Sequence, residues 1–159
     1  MKFTGEITVK APRAAVYEKV RDARFFASCV DGVRDLAEIA PDRYAAMFET
    51  KVAYMKFSFK VTVEVTRTDP PREIEAKVEG APLGVVGRMT ATSLTTLSEI
   101  GDETRIEYAV DAALTGKLGS LGQPVLRSKA REMEKQFAAR LAAAFAPASP
   151  EAARPEVAR

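Results

Sequence analysis

Met55-Lys56-Phe57-Ser58-Phe59-Lys60-Val61-Thr62-Val63-Glu64-Val65 alternates without a fault. Met55, Phe57, Phe59, Val61, Val63 and Val65 take one face, and Lys56, Ser58, Lys60, Thr62 and Glu64 take the other. A period of two belongs to a β-strand. One wholly apolar face and one wholly polar face predict an antiparallel sheet with a core on one side and water on the other.

Upstream, Val33 to Ile39 and Arg43 to Val52 read as strands joined through Ala40-Pro41-Asp42-Arg43, a tight hairpin connection. Asp31-Gly32 makes a turn before them. Ala23 to Val30 reads as a short helix carrying Phe25, Phe26 and Cys29. An earlier helix opens at Ala11-Pro12, where the missing proline N–H costs nothing, and runs to about Asp22. Ala15, Val16, Val20 and the stem of Lys19 form its core face. Phe3, Gly5, Ile7 and Val9 alternate with Thr4, Glu6 and Thr8 as the first strand.

Downstream, Asp69-Pro70-Pro71 stops the central strand, because proline cannot donate to a ladder. Ile74, Ala76 and Val78 resume the alternation. Gly80 to Gly87 reads as a loop carrying large apolar residues among three glycines, a composition suited to a mobile lid over a pocket or to membrane contact. Arg88 to Ser98 and Thr104 to Leu114 complete the strands, about seven in all. From Lys117 to Ala146 the period turns helical, with Leu118, Leu121, Val125, Met133, Phe137, Leu141 and Phe145 on one stripe. Pro124 offers two readings: one helix broken or kinked near its start, or a glycine-rich turn over Gly116 to Gln123 with a helix from Pro124. Pro147 to Arg159 has almost no bulky apolar residue and reads as a disordered tail.

A sheet with one apolar face needs a cover, and the long C-terminal helix is the only amphipathic element that can supply it. One strand, two short helices, six strands and a long helix is the order of the α+β helix-grip fold, START-like or Bet v 1-like. Its sheet curves around the helix and leaves a cleft for a ligand. Residues 1–146 form this single domain, in keeping with a chain of 159 residues that is 47% hydrophobic.

Composition removes whole classes of chemistry. The chain has no histidine, so Ser-His-Asp and Cys-His catalysis are excluded within it. Its one cysteine, Cys29, permits no internal disulfide and no cysteine-based metal site, and it reads as a buried structural thiol. Lysine and arginine number 24 against 22 acidic residues, which argues against nucleic acid as a partner. The N-terminal residues carry no apolar run of signal-peptide length, and no stretch reaches the roughly 20 apolar residues of a membrane span. The expected location is cytoplasmic, with any membrane contact peripheral.

Local motifs make the resemblance specific. They are Ala11-Pro12, the Cys29-Val30-Asp31-Gly32 turn, Thr68-Asp69-Pro70-Pro71, Thr104 to Ala112, and above all Gly116-Lys117-Leu118-Gly119-Ser120-Leu121-Gly122-Gln123. Over roughly residues 2–146 the chain resembles the CoxG family of carbon monoxide dehydrogenase subunits, a branch of the superfamily that includes START lipid-binding domains and polyketide cyclases. Two departures stand out: Asp31 replaces a usual proline, and Tyr54, Phe57 and Phe59 occupy a segment richer in glycine among relatives. The resemblance implies a non-enzymatic accessory protein linking a molybdenum hydroxylase, a carbon monoxide dehydrogenase or a related enzyme, to the inner face of the cytoplasmic membrane. It implies no tightly bound cofactor, but an isoprenoid quinone or lipid as ligand. The alternative from the same superfamily is a cyclase or hydrolase-like enzyme using pocket Tyr, Arg or carboxylate groups.

The expected cleft is lined by Phe26 and Val30, by Phe48, Phe57, Phe59 and Val78 of the sheet, and by Leu83 of the loop. Met89, Tyr108 and Val110 of the last two strands join them, with Met133 and Phe137 of the final helix. Plain core packing is the standing alternative for each. For Tyr108 the preferred reading is a hydroxyl bonded to backbone at the sheet edge. The final helix is basic, with Lys117, Arg127, Lys129, Arg131, Lys135 and Arg140 against Glu132 and Glu134. That suits anionic lipid or an acidic partner as well as an ordinary solvated face.

Overall fold

The computed structural model describes residues 1–146; the expected disordered tail at 147–159 lies outside the described residues. Seven strands form one antiparallel sheet in the order β1-β7-β6-β5-β4-β3-β2. These are β1 (Lys2–Val9), β2 (Val33–Ala40), β3 (Arg43–Val52), β4 (Met55–Asp69), β5 (Glu73–Pro82), β6 (Gly87–Ile100) and β7 (Glu103–Thr115). Helices α1 (Arg13–Arg21) and α2 (Ala23–Ser28) follow β1, and α3 (Gly116–Gly119) and α4 (Gln123–Phe145) close the described chain.

Each boundary has a local cause. Asp22 ends α1 and starts α2, its carboxylate accepting from the N–H groups of Arg24 at 2.9 Å and Phe25 at 3.2 Å. Gly122, at φ 90°, precedes α4, and Pro124 occupies its first turn. The second reading of the C-terminal segment therefore holds: a short turn of helix, then a long helix of 23 residues, about 35 Å. Restarting at Gln123 resets the helical phase, so Leu126 is buried and Val125, read from the sequence as a stripe residue, is only half-buried. In α1 the buried residues are Val16, Tyr17 and Val20; Ala15 is exposed, and Lys19 reaches back over the Phe25 ring at 4.9 Å.

The expected loop over Gly80 to Gly87 shrinks to four residues, because β5 continues to Pro82. Val61 pairs with Gly80, Lys60 with Ala81 and Phe59 with Pro82. Leu83 donates its N–H to Ser58 O at 2.8 Å, and Lys117 donates to Val86 O at 3.1 Å. The loop is thus tied at both ends.

Helix α4 packs against both β1 and β3. Those strands stand five places apart in the sheet, about 24 Å at strand spacing, while a helix with its side chains is only about 10 Å across. A flat sheet cannot meet both sides of the helix, so the sheet curves around it. The buried side chains fall into two clusters. One gathers Ile7, Val9, Val16, Tyr17, Ile74, Leu97, Ile106 and Leu141; the other gathers Val52, Phe57, Phe59, Leu118 and Leu126. Thr104, fully buried, donates its hydroxyl to Ala11 O at 2.8 Å and so is not left unpaired beside the first cluster.

Candidate functional site

Between the two clusters the inward face of the sheet carries small side chains. Register aligns Val63, Val78, Ala91 and Ala112 in one row and Val65, Ala76, Ser93, Val110 and Phe3 in the next. Val63, Val78, Ala91, Ser93 and Val110 are only half-buried although they face the helix, and so are Met133 and Phe137 opposite them. Small, half-buried residues thus face α4 across the middle of the curved sheet, where the sequence predicts the cleft.

The expected lining residues divide accordingly. Val78, Met89, Tyr108, Val110, Met133 and Phe137 are half-buried around the middle. Phe57 and Phe59 are 3% exposed and stack at 5.9 Å, with Phe48 on Phe59 at 6.0 Å, closing one end of the cleft as packed core. Phe26 is 45% exposed and leans on Phe137 at 4.8 Å beside the half-buried Val30, while Leu83 stands 55% exposed in the β5–β6 loop. Two concavities of about 430 and 500 Å³ open on the outer side of β1, β7 and β6, lined by residues such as Thr4, Leu94 and Ala109.

One polar pair interrupts the inward apolar surface. Tyr108 donates its hydroxyl to the Glu134 carboxylate, bridging β7 to α4, rather than to backbone at the sheet edge as expected. Burial, with the Glu134 hydrogen bond and charge adding to it, raises the Tyr108 phenol well above its ordinary value. It therefore stays protonated at physiological pH and acts as a donor. Gly5 makes room for the pair: a side chain there would collide with both Glu134 and Tyr108. Neither Glu134 nor Gly5 stands out in the sequence as a site residue. The only available signal is a glycine on the inward side of β1.

Beside the cleft, Asp31 ties the α2–β2 turn to α4. Arg140 donates to its carboxylate at 2.7 Å and Gln136 at 2.6 Å, while Gln136 Oε1 accepts the Asp31 N–H at 3.0 Å. The Arg140 hydrogen bond holds the Asp31 carboxyl below its usual range. A lowered folded pKa means the tie is at full strength above the unfolded value, about 3.9, and is lost as pH falls through the lowered one. Amide exchange at residues 29–32 is expected to quicken on that acid side. Asp31→Asn is expected to show the quick exchange already at neutral pH, with little change in melting temperature because the pair is exposed. Unaltered exchange in the variant would show that the tie does not hold the turn.

Cys29 is 1% exposed, its thiol pushed up by burial, as befits a structural residue. Of the helix cations, Arg140 is held by Asp31, Lys129 by Glu132 at 2.8 Å, and Arg127 by Lys2 O at 2.8 Å and the Phe3 ring. No helix among the described residues is long and apolar enough to cross a membrane.

Residues 5–146 match the family model for CoxG, the G subunit of carbon monoxide dehydrogenase. Among curated proteins no match is found. A conserved protein from Geobacillus kaustophilus is similar in structure, with a TM-score of 0.83 at 25% identity over 89% of this chain and 93% of that one. A START superfamily protein from Mycobacterium smegmatis gives 0.68 at 13% identity over 89% and 94%. A protein from Chromobacterium violaceum gives 0.66 at 15% over 92% and 97%. The last two likenesses show the fold, which is START-like and helix-grip.

Proposed function

The chain belongs to the CoxG family of carbon monoxide dehydrogenase subunits, and from that premise we propose that it is a non-enzymatic accessory protein holding an apolar small molecule between sheet and helix. The family and the fold support an accessory, ligand-binding role. The observation that carries the reading is the row of small, half-buried side chains between two separate core clusters. An isoprenoid quinone or a lipid suits such a space, its chain against Val78, Ala91 and Val110 and its polar end near Tyr108 and Glu134. On this reading the protein serves a molybdenum-containing carbon monoxide dehydrogenase-like enzyme at the inner face of the cytoplasmic membrane.

A long-chain isoprenoid quinone and a phospholipid should each be titrated against the full chain, with melting temperature and native mass spectrometry as readouts. At a ligand concentration about 100 times Kd the gain is about 2.7 kcal/mol, or roughly 5–10 °C. Ala91→Phe supplies the internal control. If the centre is hollow, the variant folds at least as stably as the parent and loses the ligand. If it is packed, the ring costs about 1–3 kcal/mol. Strong destabilisation together with no bound apolar molecule would sink the proposal.

The Tyr108–Glu134 pair favours one second reading, an enzyme of the cyclase or hydrolase kind in which the Tyr108 hydroxyl polarises a substrate carbonyl. Loss of turnover without loss of binding in Tyr108→Phe would support it.

A further inference from the structure

Four exposed apolar side chains gather at one end of the molecule: Tyr54 at 88% exposure, Val86 at 86%, Leu83 at 55% and Val85 at 39%. Topology brings them together. Tyr54 lies in the two-residue turn between β3 and β4, and the β5–β6 loop lies beside it because β4 and β5 are antiparallel with Phe59 opposite Pro82. The ties to Ser58 and Lys117 hold the loop outward, so its side chains are presented rather than folded back.

Lysines surround them. Lys51 and Lys56 are directly opposed across the hairpin, Lys117 lies in the first turn of α3, and all three are exposed. Three carboxylates of the neighbouring strands are engaged, Glu49 by Arg34 at 3.6 Å, Glu79 by Arg88 at 3.6 Å and Asp111 by the Met1 amino group at 3.8 Å. The opposite end differs, for Ile39 and Ile100 stand singly there among Asp42, Glu99 and Asp102.

We infer that this end docks on an anionic lipid bilayer, with the Tyr54 turn and the Leu83 to Val86 loop seated in the interface and the three lysines on lipid phosphates. The shape favours a bilayer over a folded protein partner: the apolar groups are turn tips that project, and cations ring them. Projecting apolar side chains gain by entering the acyl boundary, while lysines gain from a negative surface potential. Tyrosine is at home at that depth. This inference rests on the membrane-facing part of the function proposed above and names the surface responsible.

The test is sedimentation of the full chain with vesicles of phosphatidylcholine alone or mixed with phosphatidylglycerol. Retention is expected only on the mixed vesicles, weakening as salt rises. Leu83→Asp with Val86→Asp is expected to abolish it. Lys51→Gln, Lys56→Gln and Lys117→Gln together are expected to weaken it on the order of 100-fold, about fivefold for each lysine. Ile39→Asp with Ile100→Asp, at the other end, is expected to bind like the parent. All of these positions are exposed, and unchanged melting temperatures confirm folding. No retention on mixed vesicles, equal loss in the Ile39 and Ile100 variant, or full retention in both tip variants would overturn the inference. Quinone titration of the tip variants in lipid-free solution separates the two ideas: if they bind quinone like the parent but not vesicles, both stand. If quinone fails while vesicles are still bound at this tip, the ligand proposal alone falls.

Discussion

Gly116→Ala is expected to destabilise the protein by at least about 2 kcal/mol, lowering the melting temperature by roughly 4–8 °C. Two costs combine. Gly116 sits at φ 70°, where an L side chain costs about 1–2 kcal/mol. Its Cβ would also land against the Val86 carbonyl and the Gly87 backbone, which faces Gly116 in an antiparallel bridge. The approach is close from both sides, since a Cβ built on Gly87 would fall 2.6 Å from Thr115 O. The matched control is Gly101→Ala, at φ 60° with nothing within 4 Å, which incurs the conformational cost alone. Urea unfolding of both variants isolates the clash, and equal losses would show that the Gly87–Gly116 contact constrains nothing.

Leu141→Ala is expected to cost about 2–5 kcal/mol, because a fully buried leucine leaves a cavity that its neighbours fill only in part. Its cluster includes Ile7, Ile74, Leu97 and Ile106, drawn from β1, β5, β6 and β7, so Leu141 is the fully buried member of the group, with Phe137, Ala138 and Phe145, that docks the far end of α4 on the sheet. Leu126→Ala should act in the same way on the other cluster. The two leucines lie 15 residues apart on one helix, about 22 Å. With the two clusters separate, the double variant is expected to lose the sum of the single losses to within about 0.5 kcal/mol. Coupling well beyond that in urea unfolding would mean that the two clusters are one continuous core.

The same residues show where sequence reading succeeds. The alternation from Met55 to Val65 concerns side chains two positions apart on one strand, and the pleat alone decides their faces. The glycines of the Gly116 to Gln123 motif were also legible. Gly116 and Gly122 take positive φ, and a side chain on Gly119 would meet Leu114 O at 2.5 Å. Reading failed where phase or distance entered. In the first turn of α4 the buried residue is Leu126 and not Val125, because the helix restarts at Gln123, while Phe137, Leu141 and Phe145 keep the face read for them. The loop read over Gly80 to Gly87 is shorter than that span, since β5 extends to Pro82 because β4 offers it partners as far as Phe59.

The sequence by itself therefore determined the element order, the inward faces of β1, β4 and β5, the structural role of Cys29 and the family. Periodicity, turn chemistry and motif spacing act over a few residues, and a linear reading captures them. Only the tertiary structure decided what the inward faces enclose. The Tyr108–Glu134 pair over Gly5 joins three elements, and the patch of small side chains facing α4 depends on register bringing Ala76, Ala91 and Ser93 together. The cluster of Tyr54 and Val86 within a ring of lysines likewise depends on which turns share an end of the sheet. Each of these rests on contacts between residues far apart in the chain, which no local pattern encodes.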